Sequence, residues 1–148
     1  MTPRSSLAEF RKLSPITIDG LRSVNEGVKG SGLDGRLLEL IKLRASQING
    51  CAFCLAMHVA EACKLGVEDK AMHLLAAWRE SSAFTERERA ALAWTEALTL
   101  VSAGEVPDPV YKDAAQYFSD QELADLTGAV VAINGFNRIA VAYRFAHP

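Results

Sequence analysis

The chain has 148 residues, a net charge of −2 with its basic residues scattered, and 49% hydrophobic but only 7% aromatic side chains. That length fits one domain over 1–148 and can bury a core without disulfides, and three cysteines, an odd number, also argue against a stapled secreted fold. No basic patch marks a nucleic-acid or membrane surface, no run of about 20 uncharged apolar residues marks a membrane span, and the first residues carry no apolar leader, so a soluble cytoplasmic protein with reduced thiols is expected.

The punctuation is helical throughout. Ser14 as N-cap and Pro15 at the first helical position open a helix that Gly30 and Gly32 end. Asp34 caps the next, "GRLLELIKLRASQIN", whose apolar residues leave few polar faces, as in a mostly buried helix. Asn49-Gly50 breaks it, and a further helix runs over about 52–65 with Gly66 as its stop. "EDKAMHLLAAWRE" predicts a shorter helix. Thr85 and Glu88 form a capping box for a helix closing at Gly104, on which Ala91, Trp94, Leu98 and Val101 share one face. Pro107 and Pro109 admit a short helix, and a second capping box, Ser119 with Glu122, starts the last segment, to about 145. No stretch alternates with period two, so the fold is read as all-α. The tripeptide Ile-Asn-Gly occurs twice, at 48–50 and 133–135, and each copy is expected to mark a helical hairpin.

"INGCAFCLAMH", residues 48–58, carries the chemistry. Cys51, Cys54, His58 and Cys63 read at first as zinc ligands. On a helix, however, Cys51, Cys54 and His58 fall within about 60° of one another, whereas Cys63 points about 120° from Cys51 and lies roughly 18 Å along the axis. A fourth ligand would have to come from elsewhere, such as Glu39 or His73, so no metal is expected. Cys63, alone among Ala and Leu, is expected in the core. The pair itself suits redox chemistry. A cysteine opening a helix meets unpaired backbone N–H groups and the helix dipole, both favouring thiolate, and two intervening residues let the sulfurs meet as a disulfide. His58 follows Cys54 at i+4, within reach to exchange a proton. The helix terminus favours Cys51 as the reactive thiol, and proximity to His58 favours Cys54.

Glu39 has two readings. With Arg36 at i−3 and Lys42 at i+3 it could be a solvated ion-pair residue. On so apolar a helix it could instead be buried, with a raised pKa and a base's role. His73 reads as surface or core, the tryptophans and Tyr111 and Tyr117 as packing, and Asn137 and Arg138 as pocket-lining or subunit contacts.

Together, "LLELIKLRASQINGCAFCLAMHVAEACKLG", "HLLAAWRESSAFTERERAALAWTEAL" and "DLTGAVVAINGFNRIAVA" resemble the alkylhydroperoxidase D-like, or carboxymuconolactone decarboxylase-like, family over most of the chain. The resemblance implies an all-helical fold assembling as a homo-oligomer, trimer or hexamer. It implies an antioxidant peroxidase without a cofactor, in which two cysteines reduce a peroxide, become a disulfide, and are restored by a thiol or dithiol reductant. Carried onto this sequence, Cys54 attacks, Cys51 resolves, and Glu39 with His58 relays protons. Studied members have a second histidine directly before the second cysteine; Phe53 stands there here and cannot transfer a proton. A decarboxylase of lactones, whose members generally lack the pair, and a redox-sensing oligomer without turnover are the alternatives.

Overall fold

A computed structural model describes residues 1–147. Among these the secondary structure is helical: α1 Leu7–Leu13, α2 Pro15–Lys29, α3 Gly35–Ile48, α4 Ala52–Lys64, α5 Asp69–Leu74 followed by a 3₁₀ helix Leu75–Glu80, α6 Glu86–Thr99, α7 Asp108–Tyr117 and α8 Asp120–Tyr143. The all-α expectation holds. So do both capping boxes: the side chains of Thr85 and Ser119 accept from the backbone of Glu88 and Glu122, whose carboxylates return to the cap N–H groups.

α3 is the central element. It packs on α4, α6 and α8, and nine of its residues are buried. The larger core joins α3 to α6 and the lower part of α8, around Leu40, Ile41, Leu75, Leu92 and Leu126. A second, smaller cluster gathers Ala45, Cys51, Cys54, Ile133, Ala140 and Phe145. The cysteine pair therefore sits in a packed compartment beside the main core.

Several boundaries differ from expectation. α1 is an addition, opened by a capping box of Ser6 with Glu9. Ser14 gives α2 no capping bond; its hydroxyl pairs with Thr17 Oγ1 at 2.7 Å. The helix expected over 68–80 is divided, because Ala77 leaves helical angles (φ −117°, ψ 30°) and the tighter turn seats buried Trp78 with its Nε1 donating to Glu96 Oε1 at 2.8 Å. α6 ends at Thr99, short of Gly104.

The two Ile-Asn-Gly copies do different things. Gly50 ends α3 with φ +64°, a left-handed angle that favours glycine. Gly135 lies inside unbroken α8, so no hairpin forms there. A Cβ on Gly135 would come within 3.1 Å of the Leu21 side chain, so this glycine serves the close approach of α2 to α8. At the far end of α8, Arg144 adopts φ 53° and turns the chain back, bringing the Phe145 ring 5.4 Å from that of Phe53. No helix among the described residues is long and apolar enough to cross a membrane.

Candidate active site

Cys51 is the N-cap of α4 and its sulfur accepts from the Cys54 backbone N–H at 3.3 Å. Thiols seldom cap helices, where Ser, Thr, Asp and Asn are preferred. Both cysteines are free and almost wholly buried, at 1% and 3% exposure. The Cys54 thiol donates to Cys51, and this bond, with the Cys54 and Phe53 backbone and the Asn137 side chain, outweighs burial and pulls Cys51 down to about 7. Cys54 is pushed up, first by its bond to Cys51, then by burial and by the charge on Cys51. The two thiols therefore titrate as one pair, the bond between them easing loss of the first proton and opposing loss of the second.

Asn137 supports this arrangement from α8. It is fully buried. Its Nδ2 donates to Ser46 Oγ at 2.9 Å, and its Oδ1 accepts from Asn49 Nδ2 at 2.9 Å. One amide hydrogen remains for the sulfurs, and hydrogen bonding from Asn137 lowers the pKa of both. Asn49 also donates to Asn134 Oδ1 at 3.0 Å, so the asparagines of the two Ile-Asn-Gly copies are bonded to each other. This seam ties the end of α3 to α8 directly behind the cysteines. Asn137→Ala should raise the Cys51 pKa above 7, read as the ultraviolet absorbance of thiolate against pH. It should also cost about 1–3 kcal/mol of stability, because Ser46 and Asn49 lose a buried partner. An unmoved thiolate midpoint would contradict the role given to this amide.

On the other side of the pair, His58 Nδ1 meets Glu39 Oε2 at 2.7 Å, and Lys42 Nζ donates to Glu39 Oε1 at 3.1 Å. Glu39 and Lys42 are both buried, which settles the two readings of Glu39 against a solvated pair. Arg36 turns away, to Glu88 and Glu68. Burial pushes the Glu39 carboxyl up, but hydrogen bonds and charge from His58 and Lys42 outweigh it and hold it below its ordinary value. The expected raised pKa is therefore corrected: Glu39 is a carboxylate anchored by two donors. An ionised carboxylate only accepts, so Nδ1 of His58 carries the hydrogen and Nε2 is the nitrogen free to take a proton.

Cys54 and His58 line a common cavity of about 140 Å³, together with Phe53, Phe136, Phe145 and residues of α1 and α2. Cys51 lies outside it and lines a neighbouring cleft with Gly50, Phe53 and Phe145. Among the other sequence candidates, Cys63 is exposed, because α4 turns that face to solvent, so its expected core position is corrected. His73 is exposed on α5. No group of three or more His, Cys, Asp or Glu side chains among the described residues has a metal-holding arrangement. Sequence reasoning left out Ser46, Arg22 and Asn25, and read Lys42 only as a solvated partner of Glu39. A lysine three residues after the glutamate was a readable signal for Lys42; nothing local marks Arg22.

Residues 18–97 match the model of the carboxymuconolactone decarboxylase family. The chain is 33% identical over 138 residues to the uncharacterised protein YdfG of Bacillus subtilis (strain 168), spanning 93% of this chain and 94% of that one. It is 35% identical over 105 residues to the uncharacterised protein YnjA of Escherichia coli (strain K12), spanning 69% of this chain and 56% of that one. The crystal structure of a protein of unknown function from Agrobacterium tumefaciens, provisionally described as antioxidant defence protein AhpD, superposes with a TM-score of 0.92 at 41% identity, over 99% of both chains.

Proposed function

The chain belongs to the carboxymuconolactone decarboxylase family and has the alkylhydroperoxidase D-like fold, and from that premise we propose that it is a thiol-dependent peroxidase acting through Cys54 and Cys51. One observation carries the reading: a buried cysteine of a C-x-x-C pair shares a cavity with a histidine whose other nitrogen is fixed by a buried carboxylate. The provisional description of the Agrobacterium protein points the same way.

In this mechanism Cys54 gives its proton to Nε2 of His58, with Glu39 holding the imidazolium. The Cys54 sulfur attacks the terminal peroxide oxygen. The O–O bond breaks with its electron pair on the departing alkoxide, which takes the proton back from His58. Cys54 is left as sulfenic acid. Cys51, its thiol proton released to solvent, then displaces hydroxide from that sulfur, which takes a proton from solvent and leaves as water, and a disulfide forms between residues spaced for one. An external dithiol supplies two electrons and two protons to restore both thiols. Phe53 contributes no proton, so the relay rests on His58 alone.

Reduced thiols at rest suit the cytoplasm as the working compartment. Exposed apolar side chains, Val131 and Val141 on α8 and Met57 and Val59 on α4, support a homo-oligomer, trimer or hexamer. Consumption of tert-butyl hydroperoxide with dithiothreitol is expected for the native protein and lost in the Cys51→Ser/Cys54→Ser double variant. Equal rates for the two would overturn the proposal.

A further inference from the structure

The cavity beside Cys54 is apolar on most sides and polar at two places. Phe53, Phe136, Phe145 and Leu7 supply aromatic and aliphatic wall. Cys54 and His58 supply the reacting groups from α4. The remaining polar side chains are Arg22 and Asn25, which stand three residues apart on α2 and so share a helix face. Arg22 is exposed and Asn25 half-buried, and among the described residues no side chain pairs with either by a hydrogen bond or ion pair. Arg22 and Asn25 of α2 and Cys54 and His58 of α4 thus line one cavity from two separate helices.

Size limits what fits. The volume of about 140 Å³ matches the cavity of roughly 150 Å³ that holds benzene in an engineered core. One ring, or a chain of similar bulk, fills it. A guanidinium presents a fork of donors and no acceptor, which suits a carboxylate. The side chain at position 53 then has a positive use: where a histidine would add a polar edge, its ring extends the aromatic wall.

Resting on the peroxidase reading for its chemistry, we propose that this cavity takes a small monocyclic organic hydroperoxide bearing a carboxylate, the ring against Phe53 and the carboxylate on Arg22 with Asn25. The peroxide is consumed as described above, giving the corresponding hydroxy acid.

Binding can be read without turnover. Benzoate is the probe and benzamide its neutral counterpart, each titrated by calorimetry and as protection of Cys54 against alkylation by iodoacetamide. Benzoate should bind about tenfold more tightly than benzamide, and Arg22→Gln should erase the difference. Phe53→His should weaken both. Equal binding of the two probes by the native protein, or a preference that survives Arg22→Gln, overturns the inference. Turnover of tert-butyl hydroperoxide alongside equal probe binding would sink the substrate class and leave the peroxidase standing. A benzoate preference without turnover of any hydroperoxide would support the ligand class and sink the peroxidase.

Discussion

Cys54→Ser should lose dithiol-dependent peroxide turnover by on the order of a thousandfold or more, whereas Cys51→Ser should consume one equivalent of peroxide and stop as a sulfenic acid on Cys54. Two features of the pair pull in opposite directions here. The lower pKa is that of Cys51, which its neighbours hold at about 7. The proton carrier belongs to Cys54, which lines a cavity with His58. The proton carrier decides, because the departing alkoxide needs a proton and His58 stands in the same cavity as Cys54. Cys51→Ser also removes the charge that raises Cys54, while a serine keeps the cap on α4. The remaining thiol should therefore ionise more readily than it does in the pair. Mass spectrometry after one equivalent of peroxide and a dimedone trap maps the oxidised sulfur. A sulfenic acid on Cys51 in the Cys54→Ser protein would reverse the assignment.

The local parts of this site were legible in the sequence and the long-range parts were not. Thr85 with Glu88 and Ser119 with Glu122 act within one turn, so the caps they predict are the caps that form. The spacing of Cys51, Cys54 and His58 is likewise local to one helix: α4 carries Cys54 and His58, and Cys51 is its N-cap. Ile-Asn-Gly misleads because its meaning depends on what faces it. The same tripeptide takes a left-handed angle at Gly50 and lies within a helix at Gly135, where Leu21 closes over the missing side chain. Cys63 misleads for a similar reason: burial along α4 is set by where α3 lies, not by hydrophobicity. Glu39 was placed correctly near His58, but its charge state depended on Lys42 being buried with it. Arg22, Asn25 and Phe145 are 29 or more residues from Cys54 in the chain, and only the packing of α2 and the turn at Arg144 brings them to it.

Glu39→Leu should be the most destabilising single change at the site, by about 3–5 kcal/mol, because it leaves the Lys42 ammonium buried without its counter-ion. The same substitution deprives His58 of the acceptor that fixes its Nδ1 hydrogen. Stability and positioning are separable. Glu39→Leu/Lys42→Met removes both charges, and an apolar pair of similar bulk should regain most of the lost stability. Turnover should stay low in the double variant, and the ring nitrogen shifts of His58 should report mixed tautomers in place of the single Nδ1–H form. The pH dependence has a definite sign. A carboxyl held below its unfolded value, about 4.3, contributes stability that is fully present above that value and is lost as pH falls through the lower folded one. Glu39→Gln should therefore show a shallower loss of stability below about pH 4 than the native protein. Urea titration at several pH values measures both effects. A Glu39→Leu protein as stable as the native one would contradict the ion-pair account. A Glu39→Leu/Lys42→Met protein with native turnover would remove Glu39 from the proton path and leave His58 to act alone.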